Sequence, residues 1–259
     1  MKDLLKIVNH ADTAVKSNIK LTALFALAVI IMIIGHFLYF FIDNAHYTRI
    51  PDRILAPVFL IAIGYNAGHK LSDYIIYGAF ALVLVEFFII GQIHGSILLT
   101  IVLVRLLIEP LAKLMLTSVV WVWSLSLCFI LLYLLTGQYL EYSFIAVILA
   151  FAGWLRKNEK ALDIKVVKSR TYFIFALIAY IITIQLGFQF NTPTLLLIGL
   201  GTTVTFYLMY NIQPLLVNSI KWKPQGHIGK AIKWVGHKSL GIYLTHMILF
   251  YIIYFFITR

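Results

Sequence analysis

The chain has 259 residues, of which 62% are hydrophobic and 12% charged, against roughly 45–50% and 25% in soluble globular domains. With a mean hydropathy of +0.94, this composition excludes a water-soluble fold, a disordered chain and a disulfide-stapled module. The net charge of +11 lies in clusters between apolar runs, with no nucleic-acid-binding motif, so it indicates the inner face of a membrane and not nucleic-acid binding.

The first predicted element covers residues 1–20. Its apolar residues recur at spacings of three and four, with lysines and polar residues between them; they are Leu4, Val8, Ala11, Val15 and Ile19. This pattern is typical of a basic amphipathic helix that lies on the cytoplasmic surface of a membrane. Residues 21–259 are predicted to form a single transmembrane domain.

Apolar runs follow one another from residue 21 to the end of the chain. Because a helix needs about 20 residues to cross the hydrocarbon core, the sequence predicts an all-α polytopic protein with about nine transmembrane helices around a central polar cavity. The second, fourth and sixth runs are short, which is typical of a re-entrant segment or of a helix partly buried in protein. The runs are 21–42, 54–69, 73–91, 96–111, 115–136, 140–155, 171–188, 194–217 and 237–257.

Basic residues set the predicted orientation. They are concentrated before residue 21 and in the segments 156–170 and 218–238. With nine spans and a cytoplasmic N-terminus, all three basic segments fall on the cytoplasmic side, as the positive-inside rule requires.

Three polar residues stand out because an ionisable side chain at membrane depth costs roughly 2.5–3.5 kcal/mol unless it faces protein or water. His36, Arg53 and Glu86 come from three consecutive predicted helices and share one depth. A histidine beside a carboxylate and an arginine is suited to act as a general base with an orienting partner and an anion clamp. No metal-binding spacing such as HExxH or CxxC is present, so no metal is predicted.

Other polar residues within the runs have a structural alternative. His246, in the last run, is explained equally well as an interhelical hydrogen-bonding residue. Arg105 and Glu109 are four residues apart, so a local ion pair explains both. Asn66, near the inner end of the second span, and Arg105 are also candidates for the cavity or for donor binding.

Two segments resemble the TraX family of membrane proteins, which acetylate the N-terminus of conjugative pilin. The segment 53–66, RILAPVFLIAIGYN, is similar to the start of that family's second span, and His36 stands where the family has a histidine. The segment 236–246, GHKSLGIYLTH, is similar to the closing span of TraX and of the broader acyltransferase-three superfamily.

The resemblance implies a membrane-bound, acyl-CoA-dependent O- or N-acyltransferase of the bacterial inner membrane, with acetyl-CoA that enters from the cytoplasm as the expected donor. His36 would be the catalytic base, and Arg53, His246 and Tyr243 would line the cavity. The acceptor, reached from the outer side, would be a polysaccharide, a lipid or a pilin-like protein.

The sequence departs from the family at two positions. Gly35 stands where the family usually has an aspartate, and Glu86, where the family tends to have glutamine, is the alternative carboxylate partner of His36. Phe25 stands where the superfamily has a basic residue for the donor's phosphates. The candidates for that missing charge are Lys20, Lys70, Lys113 and Arg105.

Two other functions remain open from the sequence. Buried histidine and glutamate suit a proton-coupled transporter of a small solute or lipid. The missing aspartate also suits a non-catalytic assembly partner derived from an acyltransferase.

Overall fold

The computed structural model describes residues 19–42, 50–68, 71–91, 95–159, 163–212 and 226–258. These residues form ten α-helices and no strand, which confirms the all-α prediction. The helices are α1 Ile19–Phe41, α2 Ile50–Tyr65, α3 Asp73–Ile90, α4 Ile97–Met115, α5 Val119–Thr136, α6 Ile145–Asn158, α7 Ser169–Phe188, α8 Thr192–Asn211, α9 Gly226–His237 and α10 Ser239–Thr258. Residues 1–18 of the predicted amphipathic helix lie outside the described residues.

Within the part of the chain that the structure describes, five helices are long and apolar enough to cross a membrane by length and composition; they are Leu21–Phe41, Val119–Thr136, Ser169–Phe188, Thr192–Asn211 and Ser239–Ile257. Their outer faces carry large apolar side chains, among them Leu135, Leu200 and Phe256, which are 68%, 69% and 76% exposed. Surfaces of this kind suit contact with lipid and not with water. The structure therefore agrees with a multi-pass membrane protein, while the predicted count of about nine spans is not confirmed.

The helices α2 and α6 occupy the centre of the protein. They have 16 and 14 residues, about 24 and 21 Å, and so are shorter than the roughly 30 Å hydrocarbon core. Other helices surround them: α2 packs against α1, α4, α6 and α8, and α6 packs against α2, α4, α5 and α7. A helix that is buried in protein on every side has apolar residues all round, and so does a helix that is exposed to lipid. Hydropathy alone therefore does not distinguish a central buried helix from a lipid-exposed span.

Two glycines allow the central helices to touch at their backbones. A Cβ atom on Gly64 would lie 1.9 Å from the carbonyl oxygen of Ala150, and one on Gly153 would lie 2.1 Å from that of Ile61. No side chain fits at either position, so this is a close crossing of the small-residue type found in membrane proteins.

Cations cover the C-terminal end of α2. Arg105 Nη1 donates to the carbonyl oxygen of Ile63 at 3.1 Å, and Lys157 Nζ donates to that of Ala67 at 2.8 Å. Positive charge is favourable at a helix C-terminus, where carbonyl groups lack intrahelical partners. We call this side of the protein, defined by Arg105, Arg156 and Lys157, the basic end.

The basic segment 218–238, which the sequence analysis treats as a link between spans, contains a helix. This helix, α9, packs along the start of α1, where a Cβ on Gly236 would lie 2.2 Å from the carbonyl oxygen of Thr22. The helix α9 therefore lies at the basic end.

The crossing of α2 and α6 should make the substitution Gly153→Ala strongly destabilising. The added methyl group has to displace backbone and not a flexible side chain, so we expect a loss of at least about 2 kcal/mol in unfolding free energy. The measurement is unfolding by SDS titration in mixed micelles.

Gly199→Ala is the matched control, because the nearest atom to its added Cβ is 4.0 Å away. Alanine in a helix is more favourable than glycine by up to about 1 kcal/mol. The unfolding free energy of this variant should therefore equal or exceed that of the wild type. Equal stabilities for the two variants would contradict the close crossing.

Candidate functional site

A polar cavity of about 340 Å³ opens at the end of the protein opposite the basic end. His36, Arg53 and Glu86 all line it, so the structure places these three predicted residues on one cavity wall, and Tyr243 lines it as well. Other polar residues of the wall are Tyr39, Ser96, Tyr133, Glu141, Tyr142 and Tyr251. Their roles in catalysis remain predictions.

The other predicted site residues lie elsewhere. Asn66 follows the last residue of α2, thirteen residues and so about 20 Å from Arg53 along the helix axis. Arg105 contacts the same end of α2. Lys20 is in the first turn of α1, sixteen residues and so about 24 Å from His36. Asn66 and Arg105 do not line the cavity, and His246, which was predicted to do so, is not among its lining residues either.

His246 lies beside His36 and forms a histidine pair with it. Nδ1 of His36 lies 3.0 Å from Nε2 of His246, and Nδ1 of His246 lies 2.8 Å from the carbonyl oxygen of Ile242. The ring of Tyr243 lies in an edge-to-face arrangement with both imidazoles, at centroid distances of 5.8 and 5.4 Å. The pair joins α1 to α10.

This hydrogen-bond chain assigns the tautomers of both rings when they are neutral. The carbonyl oxygen of Ile242 can only accept, so Nδ1 of His246 carries the proton and its Nε2 accepts. Nδ1 of His36 therefore donates to His246. The lone pair of His36 then lies on Nε2, which becomes the atom that can take up a proton.

Arg53 forms a buried ion pair that the sequence analysis did not foresee. Its side chain is 3% exposed, and Nη1 donates to Oε1 of Glu141 at 3.1 Å and to the hydroxyl of Tyr142. The guanidinium also lies 4.4 Å from the ring centroid of Phe188, which is a cation–π distance. Nε of Arg53 has no hydrogen-bond partner among the described residues.

The loop between α5 and α6 holds Glu141 in place. Backbone hydrogen bonds join Gly95 to Tyr139 at 2.8 Å and Glu141 to Gly95 at 2.7 Å. Oε2 of Glu141 accepts from the backbone N–H of Ile97 at 3.1 Å, at the N-terminus of α4, where a negative charge is favoured. In the sequence, Glu141 is an acidic residue in a short link, and nothing nearby indicated its partner.

Glu86 does not form the predicted bond to His36. Its Oε1 accepts a hydrogen bond from the hydroxyl of Tyr251 at 2.7 Å, and its Oε2 has no hydrogen-bond partner among the described residues. The position next to Nδ1 of His36, which the sequence analysis assigned to Glu86, is taken by His246. The residue that holds the imidazole tautomer is thus His246.

A second carboxylate lies close to the backbone at His36. Asp52 is 7% exposed, and its Oδ1 would be 2.4 Å from a Cβ atom on Gly35. The glycine before His36 therefore makes room for a carboxylate that comes from α2.

Comparison of the chain with protein-family models, with curated proteins and with solved structures finds no match. The resemblance to the TraX family accordingly remains a prediction from the motifs. Within the described ranges, no three histidine, cysteine, aspartate or glutamate residues group in a way that could hold a metal ion.

The ion pair of Arg53 should make Glu141→Ala destabilising. Removing the carboxylate leaves a buried guanidinium without its counter-charge, so we expect a loss of about 3 kcal/mol or more in unfolding free energy. Unfolding in mixed micelles measures the loss.

Asp163→Ala is the control, since Asp163 pairs with Lys165 at 3.2 Å while both side chains are more than 80% exposed. Exposed pairs contribute little, so this variant should stay within about 0.5 kcal/mol of the wild type. A Glu141→Ala protein as stable as the Asp163→Ala protein would show that the buried pair does not stabilise the fold.

Proposed function

We propose that this protein is an integral-membrane acyltransferase that moves an acyl group, acetyl being the expected one, from acyl-CoA to a hydroxyl group. The observation that carries the proposal is the His36–His246 pair, in which His36 lines a polar cavity and His246 holds its ring. The pair directs the lone pair of one imidazole to Nε2, which is what a general base requires.

In the proposed reaction, Nε2 of His36 takes the proton of the acceptor hydroxyl while its oxygen attacks the thioester carbonyl carbon. The C–S bond breaks, and the CoA thiolate leaves and receives the proton back from His36. The guanidinium of Arg53, a residue of the cavity wall, is the donor we assign to the oxyanion that develops on the carbonyl oxygen. His246 stabilises the imidazolium by keeping its Nδ1–H hydrogen-bonded.

Proton balance favours a hydroxyl acceptor over an amine. A hydroxyl loses one proton on acylation, and the CoA thiolate takes up one, so His36 ends in its starting state. An amine arrives mostly as an ammonium ion near neutral pH and loses two protons, so the site would need an outlet for the second. A polysaccharide or lipid hydroxyl therefore suits the site better than a pilin amino group.

The proposal also includes the orientation in the membrane. Arg105, Arg156, Lys157 and α9 lie together at the end away from the cavity, and the positive-inside rule places such a surface in the cytoplasm. The N-terminus is then cytoplasmic, the cavity lies toward the outer leaflet, and the expected location is the bacterial inner membrane. Nine helices, α1 to α8 and α10, would run between the two faces.

A proton-coupled transporter is the alternative, and Glu86 is the residue that favours it. Its side chain is 6% exposed and lines the cavity, and its Oε2 has no hydrogen-bond partner among the described residues. A buried carboxyl group of this kind suits a proton carrier. Uptake of solute into liposomes that depends on Glu86 and not on CoA would support this alternative and contradict acyl transfer.

His36→Ala should lower transfer of labelled acetyl from acetyl-CoA to membrane lipid or polysaccharide by about 100-fold or more, because the general base is lost. The assay uses purified protein in nanodiscs with an extract of cell-envelope material as acceptor. His227→Ala, which removes an exposed histidine on α9, is the control and should retain full activity. Full activity in His36→Ala would rule out the mechanism.

His246→Gln and His246→Leu separate a positioning role from a packing role. Glutamine offers an amide oxygen to accept from Nδ1 of His36, whereas leucine fills the space without an acceptor. We expect the glutamine variant to keep more activity than the leucine variant and to keep the wild-type pH profile. Equal losses in two well-folded variants would contradict the assignment of the tautomer to His246.

A further inference from the structure

The helix α9 and the residue that follows it, Lys238, carry a cationic stripe that neither the cavity nor the proposed reaction uses. Lys230, Lys233, Trp234, His237 and Lys238 surround a shallow surface depression of about 380 Å³. Their spacing of three and four residues places them on one side of the helix. The opposite side, which includes Gly236, packs against α1.

Neither water nor hydrocarbon alone suits the exposed residues of α9. Trp234 is 62% exposed and Ile228 is 79% exposed, which is unfavourable in water. Three lysines in so short a segment are unfavourable in hydrocarbon. The boundary between headgroups and acyl chains accommodates both kinds of side chain, and tryptophan is enriched there.

The position of α9 agrees with that boundary. Gly236 contacts the backbone of Thr22, and the apolar span of α1 begins at Leu21. The last turn of α9 is therefore level with the first turn of a membrane span.

The charge of the stripe has no acidic counterpart in its own segment. The helix α9 contains no aspartate or glutamate, and all ten acidic residues of the chain lie at or before Asp163. Lysine ammonium groups donate hydrogen bonds to phosphate oxygens, and basic residues near an anionic membrane surface each strengthen binding.

From these observations we infer that α9 is an interfacial helix that binds the phosphate groups of anionic phospholipids in the leaflet at the basic end. The lysines bind the headgroups, while Trp234 and Ile228 lie among the upper parts of the acyl chains. The binding anchors the start of α1 at a fixed depth. This inference does not depend on acyl transfer.

The test measures quenching of Trp234 fluorescence in nanodiscs that contain brominated phosphatidylglycerol or brominated phosphatidylcholine at the same mole fraction. The difference between the wild type and Trp234→Phe isolates the signal of this residue. We expect phosphatidylglycerol to be preferred by about tenfold at low salt, with the preference falling at high salt because the interaction is electrostatic.

Two triple variants locate the binding. Lys230→Gln, Lys233→Gln, Lys238→Gln should abolish the preference. The control Lys113→Gln, Lys165→Gln, Lys168→Gln removes the same charge from exposed lysines outside α9 and should keep it. Native mass spectrometry of the same proteins counts the phosphatidylglycerol molecules that remain bound.

Equal quenching by the two lipids in the wild type would overturn the inference, and so would equal loss in the two triple variants. Adding CoA or inorganic phosphate distinguishes a soluble ligand from a lipid. If either compound removes the preference at micromolar concentration and at constant ionic strength, the stripe is a site for a soluble phosphate compound, and the lipid assignment is wrong.

Discussion

The backbone contact between α2 and α6 is the constraint on which the rest of the structure depends. Because Gly64 and Gly153 let the two helices touch, both can be surrounded by other helices and still leave no gap between them. Their burial fixes α2 at the centre, so its first turn, with Asp52 and Arg53, projects toward one end of the protein and its last carbonyl groups toward the other. The two ends differ in charge as a result.

At the cavity end, the opposite charges of Arg53 and Glu141 lie within hydrogen-bonding distance of each other. Arg53 pairs with Glu141, and Glu141 also accepts from the N-terminus of α4. At the opposite end, Arg105 and Lys157 satisfy the carbonyl groups of α2. At both ends of the central helix, partners from other segments therefore satisfy polar groups that would be costly to bury alone.

The sequence predicted the helical class well because composition and the length of apolar runs depend on the solvent and not on tertiary contacts. It also predicted that His36, Arg53 and Glu86 would share a cavity. Ionisable side chains at one depth on successive helices are costly in lipid, so they are expected to face the same interior space. It could not predict their partners. His246 is 210 residues from His36, and Glu141 is 88 residues from Arg53, so no local pattern connects them.

The number of spans was harder to predict for a related reason. Hydropathy reports that a segment avoids water, but both lipid and protein can provide that environment. The segment of α6 contains an apolar run that the sequence analysis counted as a span, although eleven of its fourteen residues are buried inside the protein. The segment 218–238 was misjudged in the other direction. Its lysines make it polar overall, so hydropathy indicates a link between spans, although the segment contains the helix α9, which packs on α1.

A histidine, and not a carboxylate, is the partner of His36. This difference lowers the desolvation cost of the site. A carboxylate at Nδ1 would orient the ring equally well, but it would add a buried negative charge whose desolvation is costly. The imidazole of His246, fixed by the carbonyl oxygen of Ile242, orients His36 with no added charge while both rings are neutral. When His36 takes a proton, the positive charge lies in the cavity that Glu86 and Glu141 also line. The structure thus places two carboxyl groups, those of Glu86 and Glu141, on the same cavity wall as His36, where negative charge would stabilise the imidazolium of the proposed reaction.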